Sequence, residues 1–200
     1  LALRTRHLVL ATPADTAGAL LREHQPAAAE ALSAIDYAPV ACVASAYARA
    51  DVAHALDGFG CLVPRRENRR VLGVLFSSSM FEGRAPAGHV LLSTFIGGRR
   101  QPELTALPEA AIAAIAHEEN AALLGARRAP LWQAVTRWPR AIPQYERGHG
   151  ARVAQAEAAE AALPGLLMCA NWRGGVSLGD CIVQGRQAAR RITELQSGGT

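Results

Sequence analysis

The chain contains no lysine; its positive charge is carried by arginine, and 21 arginines against 17 acidic residues leave a net charge of +4. Such one-sided usage reads as the bias of a GC-rich bacterial genome. Aromatic residues make up only 5% of the chain, and none interrupts Arg65-Arg66-Glu67-Asn68-Arg69-Arg70, so this basic cluster lacks the stacking partners of a nucleic-acid surface. It reads instead as a solvated hairpin tip, and no nucleic-acid partner is expected. No stretch approaches the ~18 uninterrupted apolar residues of a membrane-spanning helix. That excludes a transmembrane segment and leaves peripheral contact with a membrane surface open. The four cysteines, Cys42, Cys61, Cys169 and Cys181, form no CxxC pair and read as reduced thiols of a cytoplasmic protein, not a disulfide or metal framework. The histidines show no HxxxH or HExxH spacing, so no metal site is expected, and His117-Glu118-Glu119 reads as the wet face of a helix. There is no P-loop and no GxGxxG.

What the chain does contain is concentrated between Leu163 and Ile192. Leu166 to Ala170 is a short apolar run, Gly174-Gly175 breaks it, and Asp180 is expected to cap the helix that follows. Cys181, Gly185, Ala188, Ile192 and Leu195 recur at alternating spacings of four and three, giving a small-to-apolar stripe on one face. Gly185 costs about 1 kcal/mol against alanine in a helix interior, so close backbone approach to a sheet or ligand is expected there. A helix start concentrates unpartnered N–H groups and partial positive charge, which suits an anion or an electron-rich carbonyl.

Elsewhere, His7 to Ala11 reads as a buried strand, followed by a helix with Thr12 as cap and Pro13 at its first position, and a second helical stretch lies near Pro26 to Ala34. Strands are predicted at Val40 to Ala48, Cys61 to Val63, Val71 to Ser77, Val90 to Ile96 and Leu131 to Trp138, with a helix from Pro108 to Leu124 stopped by Gly125. An alanine-rich helix is predicted near Ala151 to Leu163, and a polar tail at Ser197 to Thr200. The fold class is α/β with α+β character: a partial βα layer at the two ends of the chain and a mixed, largely antiparallel sheet with helices between them.

The order of short motifs resembles the protoporphyrinogen oxidase family, within the flavin-dependent amine oxidase superfamily. Pro164-Gly165-Leu166, Ala170-Asn171-Trp172, Gly175-Val176 and Asp180-Cys181-Ile182 stand where that family has PGL, Gly-Asn-Tyr, Gly-Val and Asp-Cys-Ile, with Ala170 for the usual glycine and Gly179 where proline is common. Gly58-Phe59-Gly60, Leu62-Val63-Pro64, Leu72-Gly73, Phe76-Ser77-Ser78, Arg84-Ala85-Pro86, Gly97-Gly98, Ala141-Ile142-Pro143-Gln144-Tyr145 and Gly148-His149 keep its order.

The resemblance implies a partial FAD-binding Rossmann-like domain at residues 1 to 35, a substrate-binding domain at 36 to 145, and a return to the FAD-binding domain at 146 to 200. It implies FAD as cofactor and a porphyrinogen-like tetrapyrrole as substrate, oxidised with oxygen as acceptor. The cofactor-binding residues it points to are Trp138, Asn171, Gly175, Val176, Ser177, Leu178 and Asp180; no catalytic side chain is singled out, since the cofactor performs the redox step. Without a GxGxxG the chain reads as the C-terminal half of such an enzyme, expected to be inactive alone and to self-associate through a truncated surface. Another amine-oxidase-type flavoprotein, such as an amine oxidase or carotenoid desaturase, or a non-catalytic ligand- or partner-binding module, remains an alternative.

Overall fold

The computed structural model describes residues 4 to 197; of the Ser197–Thr200 tail, residues 198 to 200 lie outside the described residues. In chain order the elements are β1 (Leu8–Leu10), α1 (Ala14–Leu21), α2 (Pro26–Ser33), β2 (Tyr37–Ala48), β3 (Gly60–Leu62), β4 (Gly73–Leu75) and α3 (Ser77–Met80). There follow β5 (His89–Gly97), α4 (Glu109–Leu124), β6 (Trp132–Pro143), α5 (His149–Ala162), β7 (Leu166–Met168) and α6 (Leu178–Ser197). They form two compact units, one built from the chain up to Tyr37 and from Pro143 onward, the other from Ala38–Ile142.

The first unit has a two-stranded parallel sheet in which Leu8, Val9 and Leu10 pair with Leu166, Leu167 and Met168. A parallel pair needs cover on its faces. β7 has it, with all three residues buried, whereas in β1 only Leu10 is buried and Leu8 and Val9 stand exposed. The core gathers Leu10, Ala17, Leu32, Ile35, Ala156, Ala159 and Trp172, small residues on α1, α2 and α5 closing tightly around a few large ones. Thr12 does not cap α1, because its hydroxyl is buried without a partner among the described residues. Instead Tyr37 Oη accepts the Ala14 N–H at 2.9 Å. A ring 23 positions away does what a local cap was expected to do.

The second unit is a five-stranded sheet of order β3-β4-β5-β2-β6. The long β2–β5 ladder runs antiparallel from Val40↔Gly97 to Ala48↔His89. Period-two alternation sends Val90, Leu92, Thr94 and Ile96 to a buried face, and Leu91, Ser93 and Phe95 to the other. α4 covers the buried face through Ile112, Ile115, Ala116 and Leu124, and stops at Gly125, which is left-handed at φ +67. A buried polar chain ties helix to sheet: Thr94 Oγ1 donates to Asn120 Oδ1 at 3.0 Å, Asn120 Nδ2 donates to Tyr47 Oη at 3.4 Å, and Tyr47 Oη meets His117 Nδ1 at 3.2 Å. The edge strand β6 is exposed along most of its length and carries Pro139, Pro143, Arg137 and Arg140, which discourage further pairing.

Two expectations are corrected here. Glu119 is not on a wet helix face: it is 5% exposed, and its carboxylate takes Arg69 Nε at 2.6 Å and Arg70 Nε at 3.5 Å, while Glu118 pairs with Arg70. Accordingly only the 3-10 turn Arg65–Glu67 behaves as a solvated hairpin tip; Arg69 and Arg70 are clamped to α4. A linear reading sees charge and assigns it to water, but a buried carboxylate is stable when cations reach it from another element.

Candidate functional site

The block from Pro164 to Asp180 lies wholly in the first unit and is built around a soft turn with firm ends. Upstream, β7 is anchored to β1, and Trp172 is buried completely, its indole N–H donating to Thr12 O at 3.2 Å. Gly174 and Gly175 then take φ +68 and +120, conformations a side chain would strain. A Cβ on Gly175 would also overlap the Asp180 carboxylate.

Ser177, not Asp180, is the cap of α6. Ser177 Oγ accepts the Asp180 N–H at 3.0 Å, and the Asp180 carboxylate accepts both the Ser177 N–H at 3.0 Å and the Ser177 hydroxyl at 2.6 Å. The first helical backbone bond runs from Cys181 N–H to Ser177 O at 3.1 Å. This is a reciprocal capping box with aspartate at the third helical position in place of the usual glutamate. It satisfies two donors at the helix start and leaves the Leu178 and Gly179 amides without partners among the described residues.

The Ser177 hydrogen bonds hold the Asp180 carboxyl below the usual aspartate range. A carboxylate favoured in the folded state contributes stability that is complete above its unfolded pKa near 3.9 and disappears as pH falls through the lower folded value. We therefore expect the Asp180 carboxyl carbon, followed by NMR, to titrate below free aspartate, and Ser177→Ala to move its midpoint upward toward the ordinary range. An unchanged midpoint in Ser177→Ala would refute the capping box.

The expected stripe on α6 is only partly realised. Cys181, Gln184, Ala188 and Ile192 are half-buried, whereas Gly185 is exposed and nothing lies within 4 Å of where its Cβ would stand. Gly185 therefore makes no close backbone approach among the described residues.

The remaining candidates fall as follows. Val176 and Leu178 are exposed apolar residues beside the free amides. Asn171 is half-buried, its carbonyl accepts Tyr145 Oη–H at 2.8 Å, and its side-chain amide has no partner among the described residues. Tyr145 also receives the Gly175 N–H at 3.1 Å. Trp138 belongs to the other unit, on β6, and is 45% exposed; it is no core tryptophan. The ring that fills a core is Trp172.

The second unit holds a feature that motif reading missed. On the sheet face away from α4, Leu62, Leu72, Leu75, Phe95 and Ile142 line an apolar groove of about 260 Å³, with Leu62 itself 86% exposed. An antiparallel sheet with one solvated face ordinarily carries polar residues there. The signal lay in the sequence: Leu62, Leu75 and Phe95 occupy outward positions of strands whose inward positions are already apolar.

Comparison with known proteins gives the class of this fold. Residues 2 to 193 match the family described as flavin containing amine oxidoreductase, and the chain belongs to that family. Within it, the chain is 35% identical over 205 residues to the chloroplastic protoporphyrinogen oxidase of Nicotiana tabacum, covering 98% of this chain and 37% of that one. It is 32% identical over 194 residues to a coproporphyrinogen III oxidase of Propionibacterium freudenreichii, covering 96% and 36%. Among solved structures, cyclohexylamine oxidase of Brevibacterium oxydans superposes with a TM-score of 0.71 at 17% identity, over 98% of this chain and 44% of that one, a likeness of fold. The chain thus spans a little over a third of the length of these porphyrinogen-oxidising relatives. No helix among the described residues is long and apolar enough to cross a membrane.

Proposed function

We propose that this chain supplies part of the flavin site and the apolar substrate floor of an FAD-dependent oxidase that converts a porphyrinogen to a porphyrin, with oxygen as acceptor. The apolar groove on the free sheet face carries this reading, supported by relatives whose names specify protoporphyrinogen and coproporphyrinogen. At about 260 Å³ it falls just below the ~300–1,000 Å³ of ligand pockets, so it suits one part of a flat macrocycle. Leucine side chains and the Phe95 ring favour the apolar faces of pyrrole rings and exclude water.

Bound flavin would supply the two-electron oxidation. In the first unit the residues suit such a group. Gly174 and Gly175 present backbone without side chains, and Val176 and Leu178 offer apolar contact. The Leu178 and Gly179 amides would favour negative charge on a bound flavin, a dipole effect of roughly 0.3–1 kcal/mol when exposed and up to ~2 when partly buried. The Asp180 carboxylate does not oppose that charge freely, because it is turned back onto Ser177. Asn171 has a side-chain amide to spare for a ring carbonyl, and we include Trp138 as an aromatic contact of the cofactor.

The test uses the full 200-residue chain. Protoporphyrin, the aromatic product, is titrated in while its absorption band and the protein fluorescence are followed. Leu72→Asp, which puts a charge in the groove, should weaken binding at least about tenfold, or ~1.4 kcal/mol, while Leu131→Asp on an exposed position outside the groove should not. Equal binding by both variants would refute the groove as substrate floor. The same preparation is expected to be colourless, since the sequence holds no GxGxxG to grip the FAD pyrophosphate.

A further inference from the structure

A turn containing two glycines with positive φ is soft, and a helix start that faces a ligand functions only if its direction is held within a fraction of an ångström. Within the turn, Trp172 is anchored in the core, and the Arg173 N–H reaches back to Ala170 O at 3.2 Å. The Arg173 guanidinium donates to Glu160 Oε1 at 3.0 Å, Glu157 Oε1 at 3.3 Å and Met168 O at 3.3 Å, which holds the middle of the turn to α5 and β7 but leaves the glycines to another group. Tyr145 Oη donates to Asn171 O at 2.8 Å and accepts the Gly175 N–H at 3.1 Å, so a single hydroxyl joins the two ends of the turn.

Tyr145 is itself seated. Its ring stacks on His149 with centroids 4.1 Å apart and planes 13° from parallel. His149 is buried at the first position of α5, a helix held in the core by Ala156 and Ala159. Both ring nitrogens of His149 are buried without a partner among the described residues, so what the imidazole gives Tyr145 is its flat face. Burial raises the Tyr145 pKa and keeps the hydroxyl protonated, able to donate to Asn171.

We propose that Tyr145, seated on His149, is a positioning residue: it clamps the turn from Asn171 to Gly175 to α5 and thereby fixes the direction of the free Leu178 and Gly179 amides. The functional meaning of this clamp rests on the flavin reading above; the clamp itself does not.

The experiment is backbone amide hydrogen exchange on the full chain, without flavin. Tyr145→Phe keeps the ring and its stacking and removes only the hydroxyl. It should speed exchange at Gly175 about five- to tenfold while leaving the Leu167 amide in β7 unchanged. His149→Ala should speed Gly175 similarly, and His149→Phe, which restores a flat face, should return it toward the wild-type rate. The proposal is overturned if Tyr145→Phe leaves Gly175 exchange unaltered, or if the loss spreads equally to Leu167, which would mark a general packing role. Failure of His149→Phe to rescue would remove His149 from the clamp. Should His149→Ala not fold, Tyr145→Phe still decides the matter. Because no flavin is present, the outcome is independent of whether the porphyrin titration succeeds.

Discussion

Trp172→Ala should lower the stability of the first unit by about 3–5 kcal/mol, the usual cost of deleting a buried aromatic side chain. The indole is completely buried in a core built mainly from alanines with a few larger side chains, and the small neighbours cannot move in to fill the void. The variant also loses the hydrogen bond to Thr12 O and frees the upstream end of the glycine turn. For a chain of this size ~1 kcal/mol corresponds to about 2–4 °C, so a drop on the order of 10 °C is expected in the thermal midpoint of the unit. Trp172→Phe keeps most of the volume and should lose far less. Because the chain has two units, melting should be followed by a local probe as well as by circular dichroism. Amide exchange at Leu167 serves for the first unit. A Trp172→Ala variant that melts like the wild type would refute the assignment of this ring as the pillar of the block.

The second large effect is expected in the other unit. Glu119→Ala removes a buried carboxylate on which Arg69 and Arg70 converge and leaves the Arg69 guanidinium and the Arg70 N–H without this acceptor, while the Arg70 guanidinium keeps Glu118. Breaking a buried pair from one side costs about 3–5 kcal/mol. Both arginines are partly exposed and can recover some hydration, which reduces the expected loss to about 2–4 kcal/mol. Glu119→Gln retains an acceptor without the charge and should fall between. Replacing the pair together, as Arg69→Met with Glu119→Leu, should recover much of the loss, because no charge is then left buried and unpaired. Denaturant melts of the single and double variants form the required cycle, and additive losses would show that the two residues do not interact.

The sequence made the strand, glycine turn and helix after Pro164 legible because each rests on local chemistry. An apolar run, two glycines and a serine-to-aspartate box act over three or four residues. The same locality explains the mistaken cap. Asp180 is a good capping residue in isolation, and only the backbone path set by Gly174 and Gly175 puts Ser177 at the boundary and Asp180 one turn inside it. The groove is half legible: Leu62, Leu72 and Phe95 each fall within a predicted strand or motif, and their meeting on one uncovered face requires the strand order β3-β4-β5-β2. Tyr145 and Asn171 are 26 positions apart, and no pattern in the chain announces their hydrogen bond.

By itself, the sequence determined the family, the element types, the largely antiparallel middle and the side-chain-free turn at Gly174-Gly175. These follow from propensity, periodicity and motif order, which are properties of neighbouring residues. Tertiary structure alone decided that Glu119 is buried, that Tyr37 rather than Thr12 serves α1, that Trp172 rather than Trp138 fills a core, and that Tyr145 closes the turn. Each of these depends on which distant group arrives to share a hydrogen bond or displace water. A buried polar group or ring is stable only in the company the whole fold provides.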